Sequence, residues 1–150
     1  MIKPIMLAAA LALLALPAQA QQPVQITSDL FTVDENTQEA VFTGNVEVIH
    51  PTVTVWAEKV VAVYGEAGPG DIESFIATGS VRLKTSEQDA TGDRAVFTPG
   101  DQLLRLTGNV EVVNASGTIA AGELVVNLDT NVSTFTSAGG GRVTGIFTSQ

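Results

Sequence analysis

The sequence predicts an all-β fold, and three observations carry that expectation. Alternating and β-branched runs recur at short intervals between clusters of turn formers. Helix signals are almost missing beyond the first twenty residues. An internal repeat runs through the rest, the signature of units too small to bury their own faces without neighbours.

The apolar runs span 24–33, 39–49, 53–64, 72–84, 89–97, 102–113, 117–128 and 132–148, which predicts eight long strands, several split in two by bends. Asp34-Glu35-Asn36 closes the first run, because short polar side chains bond their own backbone in turns. His50-Pro51 ends the second, since proline removes a ladder donor. Gly65 to Gly70, Thr98-Pro99-Gly100-Asp101, Asn114 to Gly117 and Gly139-Gly140-Gly141 punctuate the others, and the last of these is expected to leave the final strand flexible.

Two stretches nearly coincide: Phe42-Thr43-Gly44-Asn45-Val46-Glu47-Val48-Ile49 and Leu106-Thr107-Gly108-Asn109-Val110-Glu111-Val112-Val113. A looser copy, Ala77-Thr78-Gly79-Ser80-Val81-Arg82-Leu83, lies between them. The Thr-Gly pairs begin at 43, 78 and 107, and a second half-motif alternates with them: Ser28-Asp29, Ala57-Glu58, Gly92-Asp93 and Gly122-Glu123, each a small residue and an acid before an apolar run. The chain is thus built from repeated two-strand units. A glycine inside a strand costs roughly 0.5–1 kcal/mol relative to alanine, so a bulge or sharp bend must require it. Bends at one height in successive strands fold a single sheet into a V or flattened jelly roll with apolar inner walls.

Alternation assigns the faces, because residues two apart in a strand point the same way. The Thr-Gly motif turns Val46 and Val48, Val81 and Leu83, and Val110 and Val112 inward, with Glu47, Arg82 and Glu111 outward. In the acid-led motif the inward positions are Phe31 and Val33, Val60 and Ala62, Ala95 and Phe97, and Val125 and Asn127. Val61, Val63, Val96, Leu124, Val126 and Leu128 are apolar too, so some of these are expected to meet a second sheet or a partner. Parity alone fits a filled sandwich and an open trough equally.

Residues 1–20 read as a cleavable signal peptide: Lys3 is the positive start, Met6 to Leu16 the apolar stretch and Ala18-Gln19-Ala20 the cleavage pattern. Residues 21–150 are then one exported domain, with no segment near the roughly 18 apolar residues of a membrane span. Cysteine is absent, so sheet and packing alone hold the fold. Without Lys3 the chain carries six Lys and Arg against 16 Asp and Glu, a balance that argues against nucleic acid as a partner.

Nothing in the sequence assembles a catalytic or metal site, and no cofactor is expected. His50 is the single histidine and reads as a surface-turn residue; Asp29, Glu58, Asp93 and Glu123 read as acids bonding turns or lining solvated rims at strand starts. The segment Gly65 to Asp71 is a hairpin loop, and Trp56 and Tyr64 bracket one strand as ordinary packing or as cover for a groove. Asn114-Ala115-Ser116 and Asn131-Val132-Ser133 match a glycosylation triplet with no other support.

Taken together, Ile26-Thr27-Ser28-Asp29, Val41-Phe42-Thr43-Gly44-Asn45-Val46, Ala57-Glu58-Lys59-Val60-Val61, Ala90-Thr91-Gly92-Asp93 and Leu106-Thr107-Gly108-Asn109-Val110 resemble the OstA-like family, in its LptA-type branch of periplasmic lipopolysaccharide-transport bridge proteins. The resemblance implies an open, slightly twisted β-jelly roll whose interior carries the acyl chains of lipopolysaccharide. It implies end-to-end self-association and, as partners, an inner-membrane export complex and an outer-membrane translocon. Carried over by motif, the lining includes Val24 and Ile26 at the amino-terminal mouth, Leu83 in the middle and Phe97 deeper in. The head group is expected to ride in solvent, within reach of Lys59, Arg82, Lys84, Arg94 or Arg105. The competing expectation is an exported structural or adhesive β-repeat protein with a filled core and no lipid.

Overall fold

Ten antiparallel strands make up the computed structural model, which describes residues 24–68, 70–137 and 141–148. They are β1 (Gln25–Thr27), β2 (Leu30–Asp34), β3 (Glu39–His50), β4 (Val53–Tyr64), β5 (Ile72–Lys84), β6 (Gln88–Thr98), β7 (Leu103–Asn114), β8 (Gly117–Asn127), β9 (Val132–Thr136) and β10 (Thr144–Phe147). The six central runs of the sequence appear as β3 to β8. The first run divides into β1 and β2, and the last into β9 and β10, each pair sharing one neighbour, β3 or β8. The signal segment lies outside the described residues, as do Gly139 and Gly140.

The topology is a meander from β1 and β2 at one edge to β9 and β10 at the other, and the two edges do not pair. The sheet is therefore open. Leu30, Thr43, Lys59, Thr78, Arg94, Thr107, Glu123 and Thr136 form one row of cross-strand partners from edge to edge. Beside this row the register shifts in each pairing from β3–β4 to β7–β8. A bulge in strand after strand bends the sheet along a common line, giving the V of a jelly roll.

The two half-motifs prove to be two parts of one joint. Gly44, Gly79 and Gly108 have φ of +85, +84 and +80°, and the residues that follow, Asn45, Ser80 and Asn109, are also left-handed, at 47, 46 and 50°. Glycine adopts this region freely and asparagine tolerates it, which explains the recurring Gly-Asn. Over each glycine lies the acid of the half-motif before it: a Cβ on Gly44, Gly79 or Gly108 would meet Asp29, in the bend between β1 and β2, Glu58 of β4 or Asp93 of β6 at 2.5–2.7 Å. The Asn45 amide donates to Asp29 Oδ2 at 2.9 Å, and that of Asn109 to Asp93 Oδ2 at 3.0 Å. Glu58 and Asp93 thus sit in mid-strand at the bulge rather than at strand starts, and their carboxylates cover exposed backbone.

The fourth acid-led copy is framed differently. The register aligns Ala57-Glu58-Lys59 and Gly92-Asp93-Arg94 with Ala121-Gly122-Glu123, so Gly122 occupies the place of the acid and Glu123 that of the basic residue. Parity beyond it moves by one. Leu124 and Val126 are buried, partnered with Leu106 and Leu104, whereas Val125 stands opposite Arg105 on the outer face. The expectation that Val125 and Asn127 face inward is corrected accordingly.

Both halves of the V contribute to one core, from Val46, Val81, Val110 and Val112 on one side to Val60, Leu106 and Leu124 on the other, each 2% exposed or less. Leu106 reaches across the bend, where a Cβ on Gly92 would lie 2.6 Å from its Cδ1. Glycine at 92 makes room for that leucine. On the outer face, Arg82 holds Asp89 with two hydrogen bonds and stacks 5.3 Å from the Trp56 ring. Tyr64 is instead buried, its hydroxyl donating to the Asp34 carbonyl.

Candidate functional site

Between the halves, an apolar cleft of about 40 Å³ runs in from one end of the V. One wall is formed by Val48 and His50 of β3 with Val53 and Val55 of β4, joined by Val24. The other comprises Val60, Phe75, Ala77, Ala95, Phe97, Leu104 and Leu128. Strands far apart in the meander thus meet across the gap: His50 of β3 lies edge-on to Phe97 of β6, with ring centroids 6.0 Å apart. Phe97 in turn stacks on Phe75 at 6.2 Å. The cleft opens into a vestibule of about 870 Å³, sharing Val24, His50, Phe75, Phe97 and Leu128 with it and adding Thr52, Asp71, Gln102, Asp129 and the 99–100 turn.

The structure brings Val24, Val48, Val60, Ala95 and Phe97 together as cleft lining. Val46, Val81, Leu83, Val110 and Val112 face inward but fill the packed centre, and Ile26 packs against that centre. Phe31 and Val33 stand opposite Phe42 and Ala40 and so point inward too, yet remain 55% and 42% exposed because β2 has no strand beyond it. Phe31 stacks on Phe42 at 4.6 Å. The residues that sequence reading missed were partly legible: Val53, Val55 and Ala57 alternate as cleanly as the motifs that were read. Phe75 and Leu104 join the lining only because the bend folds one half of the sheet over the other, whereas Leu128, just past β8, is one of the apolar residues expected to meet a second sheet.

His50 departs most from its expectation. Rather than ending a bare surface turn, it lines both the cleft and its mouth. The Thr52 amide donates to its Nδ1 at 3.2 Å, and the Thr52 hydroxyl lies 2.9 Å away. Burial of the ring lowers its pKa below 6.5. The unfolded state therefore binds a proton more readily, so stability should fall as pH drops below 6.5 and level off once the folded-state group is also protonated. A His50→Gln variant should flatten that part of the urea-stability profile; an unchanged slope would assign it to other groups.

The basic residues sit elsewhere. Lys59, Arg82, Lys84, Arg94 and Arg105 are each one position out of phase with buried inward neighbours, Val60, Val81, Leu83, Ala95, Leu104 and Leu106, and so occupy the outer face. Among the described residues no group of three or more His, Cys, Asp or Glu is disposed to hold a metal ion.

Comparison with known proteins agrees with this architecture. LptH, described as the LptA homologous periplasmic component of the conserved lipopolysaccharide transport device from Pseudomonas aeruginosa, superimposes with a TM-score of 0.73 over 89% of this chain and 100% of its own, at 16% identity. An uncharacterised protein of Rhizobium meliloti (strain 1021) is 31% identical over 127 residues, which are 79% of this chain and 68% of the relative. Residues 25–132 match the family described as "LptA/(LptD N-terminal domain) LPS transport protein". With its bulged meander and open β-jelly roll, the chain belongs to that family.

Proposed function

We propose that the protein is a periplasmic lipopolysaccharide carrier, one component of the bridge that conducts this lipid from the inner to the outer membrane, with acyl chains held between the halves of the V. The observation that carries the reading is the apolar cleft, open at one end to solvent, in a chain of this family. Each methylene removed from water is worth about 0.8 kcal/mol, so a lipid with several chains faces tens of kcal/mol in crossing an aqueous space unaided. Aliphatic walls lower that barrier without gripping any one point. The work is transport without catalysis, and export through residues 1–20 would deliver the protein to the periplasm.

Its partners follow from the edges. The free edge of β1 and β2 is an acid-led strand, whereas that of β9 and β10 is in the register of the Thr-Gly strands. Docking one copy's first edge on another's last would continue the alternation, a head-to-tail addition that does not close on itself. Exposed Leu30, Phe31 and Val33 at one edge and Val132, Ile146 and Phe147 at the other supply apolar surface for that contact or for the export complex and translocon.

The packed centre favours a second reading, a filled β-repeat protein without lipid. Photocrosslinking separates the two. A photoreactive residue at Val48 should yield lipopolysaccharide adducts, and one at Glu47, on the outer face, should not. Equal labelling at both positions would refute the assigned parity, and no labelling at either would refute the carrier.

A further inference from the structure

We propose that His50 couples a proton to the loading of the cleft: hydrocarbon enters beside the neutral ring, and protonation of the ring weakens its hold. The inference rests on the carrier reading and adds regulation to it. His50 is the one ionisable residue among those that line the cleft, where it stands with Val24, Val48, Val53 and Phe97, and it belongs to the mouth as well. Its ring lies edge-on to that of Phe97, so these two rings flank the way in.

The ring is held in the form that suits hydrocarbon. The Thr52 amide can only donate, so Nδ1 at 3.2 Å accepts and the single ring proton sits on Nε2. A second proton has to go on Nδ1. There it would oppose one N–H to another and leave the Thr52 hydroxyl, 2.9 Å away, as the acceptor. Burial opposes the charge too. The charged groups that face His50 are Asp71, just before β5, and Asp129, just after β8, both at the mouth, where they draw an imidazolium outward. Strands β4 to β7 present only apolar side chains to the cleft, and Glu47 of its own strand is on the outer face. A chain in the cleft takes more water from the ring, and an ion set against hydrocarbon is costly to desolvate. The loaded protein therefore has the lower His50 pKa. By linkage, affinity falls as pH drops through the pKa of the empty protein and levels off once the loaded protein also takes up the proton.

Dodecyl maltoside tests this, because its head group carries no charge at any pH used. It is titrated below its micelle concentration into the full mature chain and followed by calorimetry, at about pH 7.5 and about pH 5, to bracket the range of an imidazole. Affinity should fall at least about threefold, within the limit of about tenfold per pH unit for one proton. Repeating the acid titration in buffers of different ionisation enthalpy should show protons released on binding, a readout that needs no variant. His50→Gln should bind equally at both pH values, whatever its affinity, and Asp71→Asn with Asp129→Asn should keep the fall. Binding by the parent without pH dependence, or a fall that persists in His50→Gln, would overturn the coupling and leave the carrier intact. Failure of the parent to bind at either pH would remove the carrier reading itself.

Discussion

Leu106→Ala is expected to destabilise the protein by about 2–5 kcal/mol, the range for truncating a buried leucine whose surroundings relax only in part. Leu106 is 1% exposed and sits on the bend, lying against the backbone of Gly92 in the strand beside it. Its removal opens a void where both halves of the V converge. Urea titration should show a lower midpoint at an unchanged slope. The contact also predicts coupling. Gly92→Ala alone places a methyl group within 2.6–2.7 Å of the leucine side chain and should destabilise. In the Leu106→Ala background the same methyl enters the void and should recover part of the loss, a non-additivity of the kind contacting pairs show. Strict additivity would mean that the two sites do not share this space.

Val48→Asp is expected to weaken lipid binding about 100-fold, equivalent to about 2.7 kcal/mol. Val48 lies between Ile26 and Val55 in the inward row and lines the cleft. A carboxylate there would have to shed water against hydrocarbon or keep it and exclude the chain. Because the position is only half-buried, the fold should survive, which circular dichroism would check. Ile49→Asp, one residue along and on the outer face, is the matched control and should bind lipid like the parent. Unchanged binding by a folded Val48→Asp protein would end the acyl-chain assignment.

Much of the architecture was readable from the chain because the repeat states the same physics several times. Period-two alternation placed Val46, Val60, Val81 and Val110 inside, where each is 2% exposed or less. The in-strand glycines signal bends, and the positive φ of Gly44, Gly79 and Gly108 is the cause. Reading failed where a copy departed from its template. Aligning Gly122-Glu123 by its acid placed Val125 one step out of phase, because in that strand the glycine, not the acid, occupies the bulge. In sequence the acids look like rim residues, because their partners, Gly44 and Asn45 for Asp29, lie 15 and 16 positions away and meet them only through strand pairing. The cleft was illegible for a related reason. Alternation says which side a residue faces but not which distant strand confronts it, and His50 opposite Phe97 depends on how far the sheet curls.

Placing a bulge beside one row of partners in each of five successive pairings has a mechanical consequence. Paired strands continue on either side of that row, whereas the bulges beside it hold left-handed glycines and their asparagine or serine followers, covered by the acids that precede them in the chain. A sheet built this way behaves like a bound book. Bending concentrated at that spine would leave each page sewn to the next, because the strands on both sides of it keep their pairing.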